Sequence, residues 1–379
     1  MSPATRSKTE PAGARVLVIG VTREVLDTVM QDLAELGIQA SGSTDPARLD
    51  IDFDPRDFDL LSIGGGVDDA TRNRLKNAFT TRHPAIHLVD AYAPIAVRQI
   101  LDRLSGADAE PLVDLDAYLA RIGYDGPLAP TIDTLRALHR HHLDAIPFEA
   151  IDALLGRGID IAANAVDVKL IGAGRGGYCF EHNGLFQRVL ATLGFQVTPI
   201  SARVRWTMPA DSAPSARTHM LLEVQLDGRP WLVDVGFGSS VPPAPLRIDT
   251  TEPQQTAHEA FRVFRFGHDL MVQARREGVW LPMYTVSREP LHPSDYEVAN
   301  WHTSTHPDSH FTRNLIVART TGDARYTLLD NRFTVRHADE RSDKQFLDAA
   351  SIERVLRDVF RLPVAPEWRA LIERAARGS

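Results

Sequence analysis

The first hundred residues alternate short apolar runs with amphipathic stretches. Residues 15–20 (RVLVIG) form an apolar run closed by glycine, and residues 22–36 follow with Val25, Leu26, Val29, Leu33 and Leu36 at helical spacing. Residues 58–63 (FDLLSI) repeat the run and lead into Gly64, Gly65 and Gly66, after which Leu75 and Phe79 mark a polar helix. Residues 85–89 (AIHLV) and 95–104 give the pair once more. A strand followed by a helix, repeated over about 90 residues, predicts a small doubly wound parallel sheet across residues 14–106.

Residues 105–111 (SGADAEP) are small, acidic and proline-containing, as suits a linker. Beyond them, residues 116–122 and 132–145 carry helical spacing, the second with Leu135, Leu138, His142 and Ile146 on one face before Pro147 stops it. Between residues 195 and 290, apolar runs such as 220–226 and 231–235 are separated by turn signals, Asp227-Gly228 among them, which predicts an antiparallel sheet or barrel. Residues 352–362, apolar at Ile352, Val355, Leu356 and Val359, read as the last helix.

Composition narrows the function classes. With 379 residues, 43% apolar and 24% charged, the chain has an ordinary globular make-up and length for two or three domains. A net charge of −8, with Lys and Arg scattered, gives no basic stripe for nucleic acid. Residues 1–14 carry no apolar stretch behind their basic residues, and no apolar run of about 18 residues occurs. Neither secretion nor membrane insertion is expected, and the cytoplasm is the expected location. The single cysteine, Cys179, excludes an intramolecular disulfide and a thiolate-rich metal site.

In size and rhythm residues 14–106 resemble a response-regulator receiver, a flavodoxin-like fold. A receiver needs an acidic pair after its first strand and a phospho-accepting Asp after its third. Those places hold Gly20, Val21 and Thr22, then Gly64, Gly65 and Gly66, which leaves a docking, dimerising or scaffold domain as the expectation.

Candidate chemistry gathers around RGGYCFEHNG, residues 175–184. A cysteine attacks as thiolate and needs a neighbouring cation, usually an imidazolium whose other nitrogen a carboxylate holds. His219 opens the run 219–224 and Asp234 ends the run 231–234, with the Asp227-Gly228 turn between. Counting outward from that turn, Leu226 faces Arg229, so His219 falls opposite a position two residues beyond Asp234. Both side chains then share one face within diagonal reach. Taken singly, each of the three has an ordinary structural reading, a small buried thiol, a strand histidine and a turn-forming aspartate; their combination points to nucleophilic catalysis. Arg175 and Glu181 are expected to pair beneath the nucleophile, and Gly176 and Gly177 to give an acyl oxyanion access to backbone N–H groups. His302, His306 and His310 have metal-ligand spacing for a helix, but Pro307 and the run Thr303-Ser304-Thr305 argue against helix there, and no metal site is expected.

Four ordered segments resemble the arylamine N-acetyltransferase family. They are Leu138-His139 through Ile146-Pro147-Phe148-Glu149, then residues 175–183, then Arg217-Thr218-His219, then residues 233–238 (VDVGFG). The likeness spans residues 112–365. It implies a helical bundle carrying the nucleophile (112–194), a β-barrel (195–290) and an α/β lid (291–379). It also implies Cys179 as nucleophile, His219 as base and Asp234 as its orienter. Acetyl-coenzyme A would be the acyl donor and an aromatic amine or hydrazine the acceptor, with no permanently bound cofactor. Phe148 and Phe237 are placed either to wall an aromatic-amine pocket or in the core, and Trp206 stands where the family often puts an aromatic near coenzyme A. An amide synthase closing a macrolactam from a polyketide thioester, and a non-catalytic binding module, remain the alternatives. The chain departs from the family pattern at Gly174, usually basic, and in its extra first domain, expected to form a homodimer or to engage a protein partner.

Overall fold

The computed structural model describes residues 13–91, 96–104, 113–206, 208, 212–289, 291–339 and 341–378. Residues 105–111, read as a linker, lie outside them. The chain divides into two compact units, Met1–Pro111 and Leu112–Ser379. Among the described residues no helix is long and apolar enough to cross a membrane.

The first unit runs β1 (Arg15–Ile19), α1 (Arg23–Glu35), β2 (Gln39–Ser43), α2 (Leu49–Asp52), β3 (Leu60–Gly64), α3 (Asp69–Arg82), β4 (His87–Ala91) and α4 (Ala96–Leu104). Its sheet is parallel, in the order β2-β1-β3-β4. Side chains alternate across a strand, so Val16 and Val18 of β1 meet α1 and α4 on one face, while Leu17 and Ile19 meet Leu75 and Phe79 of α3 on the other. That alternation makes the sheet doubly wound. Two details differ from the sequence reading. Val25 and Leu36 of the first helical stretch are exposed, because Leu26, Val29 and Leu33, with Met30, form the face turned to the sheet. Strand β2 (QASGS) has no apolar signature, since an edge strand of small polar residues is held by its backbone ladder to β1.

The second unit begins with α5 (Leu115–Ile122) and α6 (Ile132–Ala145), capped at their starts by the side chains of Asp114 and Thr131. Helix α6 stops just ahead of Pro147. Then come β5 (Phe148–Glu149), α7 (Ile151–Leu154), α8 (Ala163–Val166), a π-helical turn over Asp167–Gly172, and α9 (Cys179–Thr192). Seven antiparallel strands follow, β6 (Gln196–Val204), β7 (Arg217–Leu226), β8 (Arg229–Val233), β9 (Leu246–Arg247), β10 (Phe261–Phe266), β11 (Asp269–Arg276) and β12 (Val279–Ser287). Their spatial order is β10-β11-β12-β6-β7-β8-β9. Gln254 nearly closes the barrel. Its side chain accepts from Arg247 N at 2.7 Å and donates to Arg247 O at 2.9 Å, while its backbone pairs with Phe261 at the start of β10.

The remaining elements are α10 (Pro293–Thr305), α11 (His310–Arg313), β13 (Ile316–Thr320), β14 (Ala324–Leu329), β15 (Arg332–His337), β16 (Ser342–Phe346), α12 (Ala349–Asp358) and α13 (Arg369–Ala376). A five-stranded sheet in the order β16-β15-β14-β13-β5 packs against α12 and α13. The helix expected over 352–362 ends at Asp358, and α13 comes after it; Arg361, at φ +56°, has left helical geometry. Thr303-Ser304-Thr305, expected to resist helix, complete the last turn of α10. The hydroxyls of Thr303 and Thr305 donate back to the carbonyls of Ala299 and Trp301, and Pro307 falls just beyond the end.

Candidate active site

Cys179 is the first residue of α9 and is 5% exposed. The helix turns Phe180, Leu185, Phe186, Val189 and Leu190 into the core, and so fixes the thiol at its positive end, where a thiolate is favoured. The segment ahead of it is tied down by the backbone of β5. Gly177 bridges Phe148 in parallel, with Glu149 N–H donating to Gly177 O at 2.7 Å and Gly177 N–H to Pro147 O at 3.3 Å. A Cβ on Gly176 would stand 2.0 Å from Pro147 O, and one on Gly177 2.8 Å from the Glu181 side chain. Gly176 thus leaves room for the Pro147 carbonyl, and Gly177 for the Glu181 side chain. The N–H of Tyr178 is also engaged, donating to Glu181 Oε2 at 3.0 Å. Gly174, with φ +65°, occupies the left-handed region, where glycine is at ease and a basic residue is not.

The charges beneath Cys179 pair differently from the sequence expectation. Arg175 does not meet Glu181. It binds Glu149 at 2.7 Å and Asp152 at 3.0 Å, whereas Glu181 takes Lys169 at 2.7 Å. The π-helical turn brings Lys169 into this position, and Lys169 bridges to Asp152 at 2.8 Å. Glu149, Asp152 and Glu181 thus share Arg175 and Lys169, with Arg157 4.0 Å from Asp152. Glu181 is wholly buried and is pushed up to about 7 by that burial against the opposing pull of Lys169.

His219 and Asp234 meet as the hairpin count anticipates. The register Leu226↔Arg229 continues to Leu222↔Val233, and His219 Nε2 lies 2.7 Å from Asp234 Oδ2. Both are buried, at 3% and 1% exposure. The other carboxylate oxygen, Oδ1, accepts from Gly236 N–H at 2.9 Å and Asn183 Nδ2 at 3.2 Å. Asn183 stands one turn along α9 from Cys179, so a single helix orients the thiol and the carboxylate together. Burial opposes charge on His219, but the Asp234 carboxylate, its hydrogen bond and the Cys179 side chain outweigh it and raise the imidazole to about 10. Asp234 moves the other way. Burial works against its ionisation, and the His219 charge, with the hydrogen bonds from His219, Gly236 and Asn183, holds it below the usual carboxylate range. The thiol itself points to Thr218 O at 3.7 Å, beside the histidine.

Aromatic rings surround the imidazole. Phe237 and Tyr284 lie 5.1 and 5.2 Å from it, and Trp206 lies 6.4 Å from Phe237. Phe237 and Trp206 are half-buried. Phe148 is buried, with its ring parallel to His182 at 6.4 Å and 6.0 Å from Phe311.

A family model described as N-acetyltransferase matches residues 131–369. The chain belongs to the arylamine N-acetyltransferase family. An arylamine N-acetyltransferase of Mycolicibacterium smegmatis is 45% identical over 63% of this chain and 88% of its own length. The one from Escherichia coli is 39% identical over 66% and 89%. The solved structure of Mycobacterium marinum arylamine N-acetyltransferase in complex with CoA superposes with a TM-score of 0.66 at 41% identity, covering 69% of this chain and 98% of that one.

Beside these family motifs lies a buried chain that the sequence reading missed. His182 Nε2 faces Pro147 O at 3.2 Å, His142 Nε2 faces His182 Nδ1 at 2.8 Å, and Tyr118 OH faces His142 Nδ1 at 2.9 Å. A carbonyl only accepts, so His182 carries its proton on Nε2, His142 donates to His182, and Tyr118 donates to His142. Burial pushes His182 down to about 4 and His142 well below its ordinary value. Both histidines lay on apolar helix faces, where spacing gives no hint of their meeting. The three histidines with metal spacing do not assemble: the rings of His302 and His306 are 4.6 Å apart and His310 begins a separate helix. Among the described residues no group of three His, Cys, Asp or Glu side chains is placed to hold a metal.

Proposed function

We propose that this chain is an acyl-coenzyme A:amine N-acyltransferase that carries acetyl from acetyl-coenzyme A, through a thioester on Cys179, to the nitrogen of an aromatic amine or hydrazine. The observation that carries this reading is the buried His219–Asp234 contact of 2.7 Å beside a thiol at a helix start. An imidazolium held by a carboxylate favours the thiolate next to it. The thiolate attacks the thioester carbonyl; the tetrahedral adduct collapses with loss of the coenzyme A thiolate, which takes the imidazolium proton. The amine then attacks the acetyl-enzyme carbonyl, His219 receives the amine proton, and collapse releases the amide and returns the Cys179 thiolate beside an imidazolium. One thioester replaces another at little cost in energy, and neither step calls on a metal. The names of the relatives, and the CoA bound in the Mycobacterium marinum structure, support the donor and the acceptor class. Phe237, beside His219, and Trp206, beside Phe237, are the proposed aromatic contacts of the substrates, and Phe148 the third.

Intact mass tests the reading. One acetyl should appear on the protein with acetyl-coenzyme A, leave on addition of an arylamine, and be missing in Cys179→Ser. No adduct from any acyl-coenzyme A would sink the proposal, and an adduct from polyketide thioesters alone would move it to amide synthesis. The first unit we assign to docking or dimerisation. A chain lacking residues 1–111 with unchanged turnover and oligomeric state would remove it from the catalytic cycle.

A further inference from the structure

Two helices grip a single peptide group beside the site. The carbonyl oxygen of Asp234 faces Nε2 of His139, on α6, at 3.2 Å, and the N–H of Val235, at the other end of that peptide, donates to Asn183 Oδ1, on α9, at 3.1 Å. A carbonyl only accepts, and Nδ1 of His139 makes no hydrogen bond among the described residues, so the ring donates from Nε2. His139 is wholly buried, its ring edge-on to Phe186 at 6.1 Å. Burial, against the pull of Asp234, pushes it down to about 4, so at neutral pH it is uncharged and acts only as a hydrogen-bond donor. Three residues on, along the same face of α6, His142 fastens the other half of the site. It holds His182, His182 holds Pro147 O, and Pro147 O receives Gly177 N–H two residues ahead of Cys179.

We propose that His139 is a positioning residue for Cys179, His219 and Asp234: its hydrogen bond fixes the plane of the Asp234–Val235 peptide and, with it, the direction of the Asp234 carboxylate towards His219. The proposal rests on the reading of those three residues as the acyl-transfer site. A buried carbonyl left without a donor is costly, so loss of the His139 donor gives this peptide a reason to turn. Val235 N–H and Gly236 N–H, which donates to Asp234 Oδ1 at 2.9 Å, lie on the chain that turns. The hold on the carboxylate therefore loosens. His219 Nε2 stands 2.7 Å from Oδ2, and a misplacement of about 1 Å in such a set costs up to about 100-fold in rate.

Asn and Gln at position 139 separate positioning from packing. Both place an amide in the site, but only Gln carries its NH2 as far out as Nε2 of the ring; Asn falls a methylene short. His139→Asn should slow single-turnover acetylation of Cys179 by about 10- to 100-fold at pH 7, and His139→Gln should restore most of the rate. Iodoacetamide gives a readout that needs no acyl donor. Cys179, Asp234 and Tyr284 are the titratable groups facing His219. With the His219–Asp234 pair held, alkylation stays nearly flat across neutral pH, as it should in His139→Gln, whereas in His139→Asn it should climb with pH. Leu138→Ala, which empties a fully buried position next along α6, is the packing control: a lower melting temperature with the parent's rate and flat profile. A His139→Asn variant that behaves like Leu138→Ala would overturn the proposal, and so would equal losses in the Asn and Gln variants. A parent chain that forms no acetyl-enzyme would count against the transferase reading alone, and the alkylation profiles would still decide the role of His139.

Discussion

Asp234→Asn isolates the electrostatic part of the site, because the side chain keeps its shape. Holding His219 at about 10 against an ordinary 6.5 corresponds to about 5 kcal/mol in favour of the imidazolium. With a neutral residue at 234, burial is left to act on the ring and pushes it down, so it is uncharged at pH 7. The hydrogen bonds add a second effect. Oδ1 already accepts from Gly236 and Asn183, so the new amide must turn its NH2 towards His219 Nε2. The ring proton then moves to Nδ1, the nitrogen that faces away from residue 234 and has to take up a proton. Loss of the equivalent charge in a serine protease costs about 10⁴-fold, and a loss of about 10³-fold or more in the single-turnover rate of Cys179 acetylation is expected here at pH 7. Iodoacetamide alkylation gives an independent readout. The pair in the parent is intact above the depressed value of Asp234 and below about 10, so alkylation should be nearly flat across neutral pH and should rise steeply with pH in the variant. A variant with the parent's flat profile and rate would refute the ion-pair account.

Glu181→Gln should gain stability relative to the parent as pH rises through about 7, because an acid whose folded value is raised contributes stability that is lost on ionisation; thermal melts at pH 6 and 8.5 with an unchanged difference would contradict this. Gly236→Ala would put a Cβ 2.7 Å from both Cys179 Cα and Asn183 Nδ2; urea unfolding should show a loss of about 1–3 kcal/mol, and acetylation should slow along with it. A stable, fully active Ala variant would mean that the Asp234 turn is not packed on the Cys179 helix.

The His219–Asp234 contact was legible because a two-residue hairpin turns sequence separation into spatial distance. Counting from Asp227-Gly228 is enough to bring His219 to Asp234. The same arithmetic has no purchase on Lys169 and Glu181, which meet through a π-helical turn that no periodicity announces, so Arg175 is the obvious wrong partner. Strand β5 escapes notice for a related reason. Two residues carry no alternation, and Phe148–Glu149 becomes a strand only because β13, far along the chain, pairs with it as Ala318↔Phe148 and Val317↔Glu149. Glycines mislead in their own way. Gly176 beside a nucleophile suggests room for substrate, whereas the space is filled by Pro147 O.

Strand β5 also makes the thiol a reporter on the far end of the chain. One edge of Phe148–Glu149 carries β13, and the bridge to Gly177 sits two residues ahead of Cys179. The five-stranded sheet therefore ends, in effect, on the segment that leads into Cys179. Peeling away β13 to β16, by heat or by a protease, leaves the backbone that positions Cys179 without its neighbour. Thiol reactivity should fade in step with local opening of the C-terminal sheet, earlier than global unfolding of the barrel, and so give a chemical reading of how well β13 to β16 are folded.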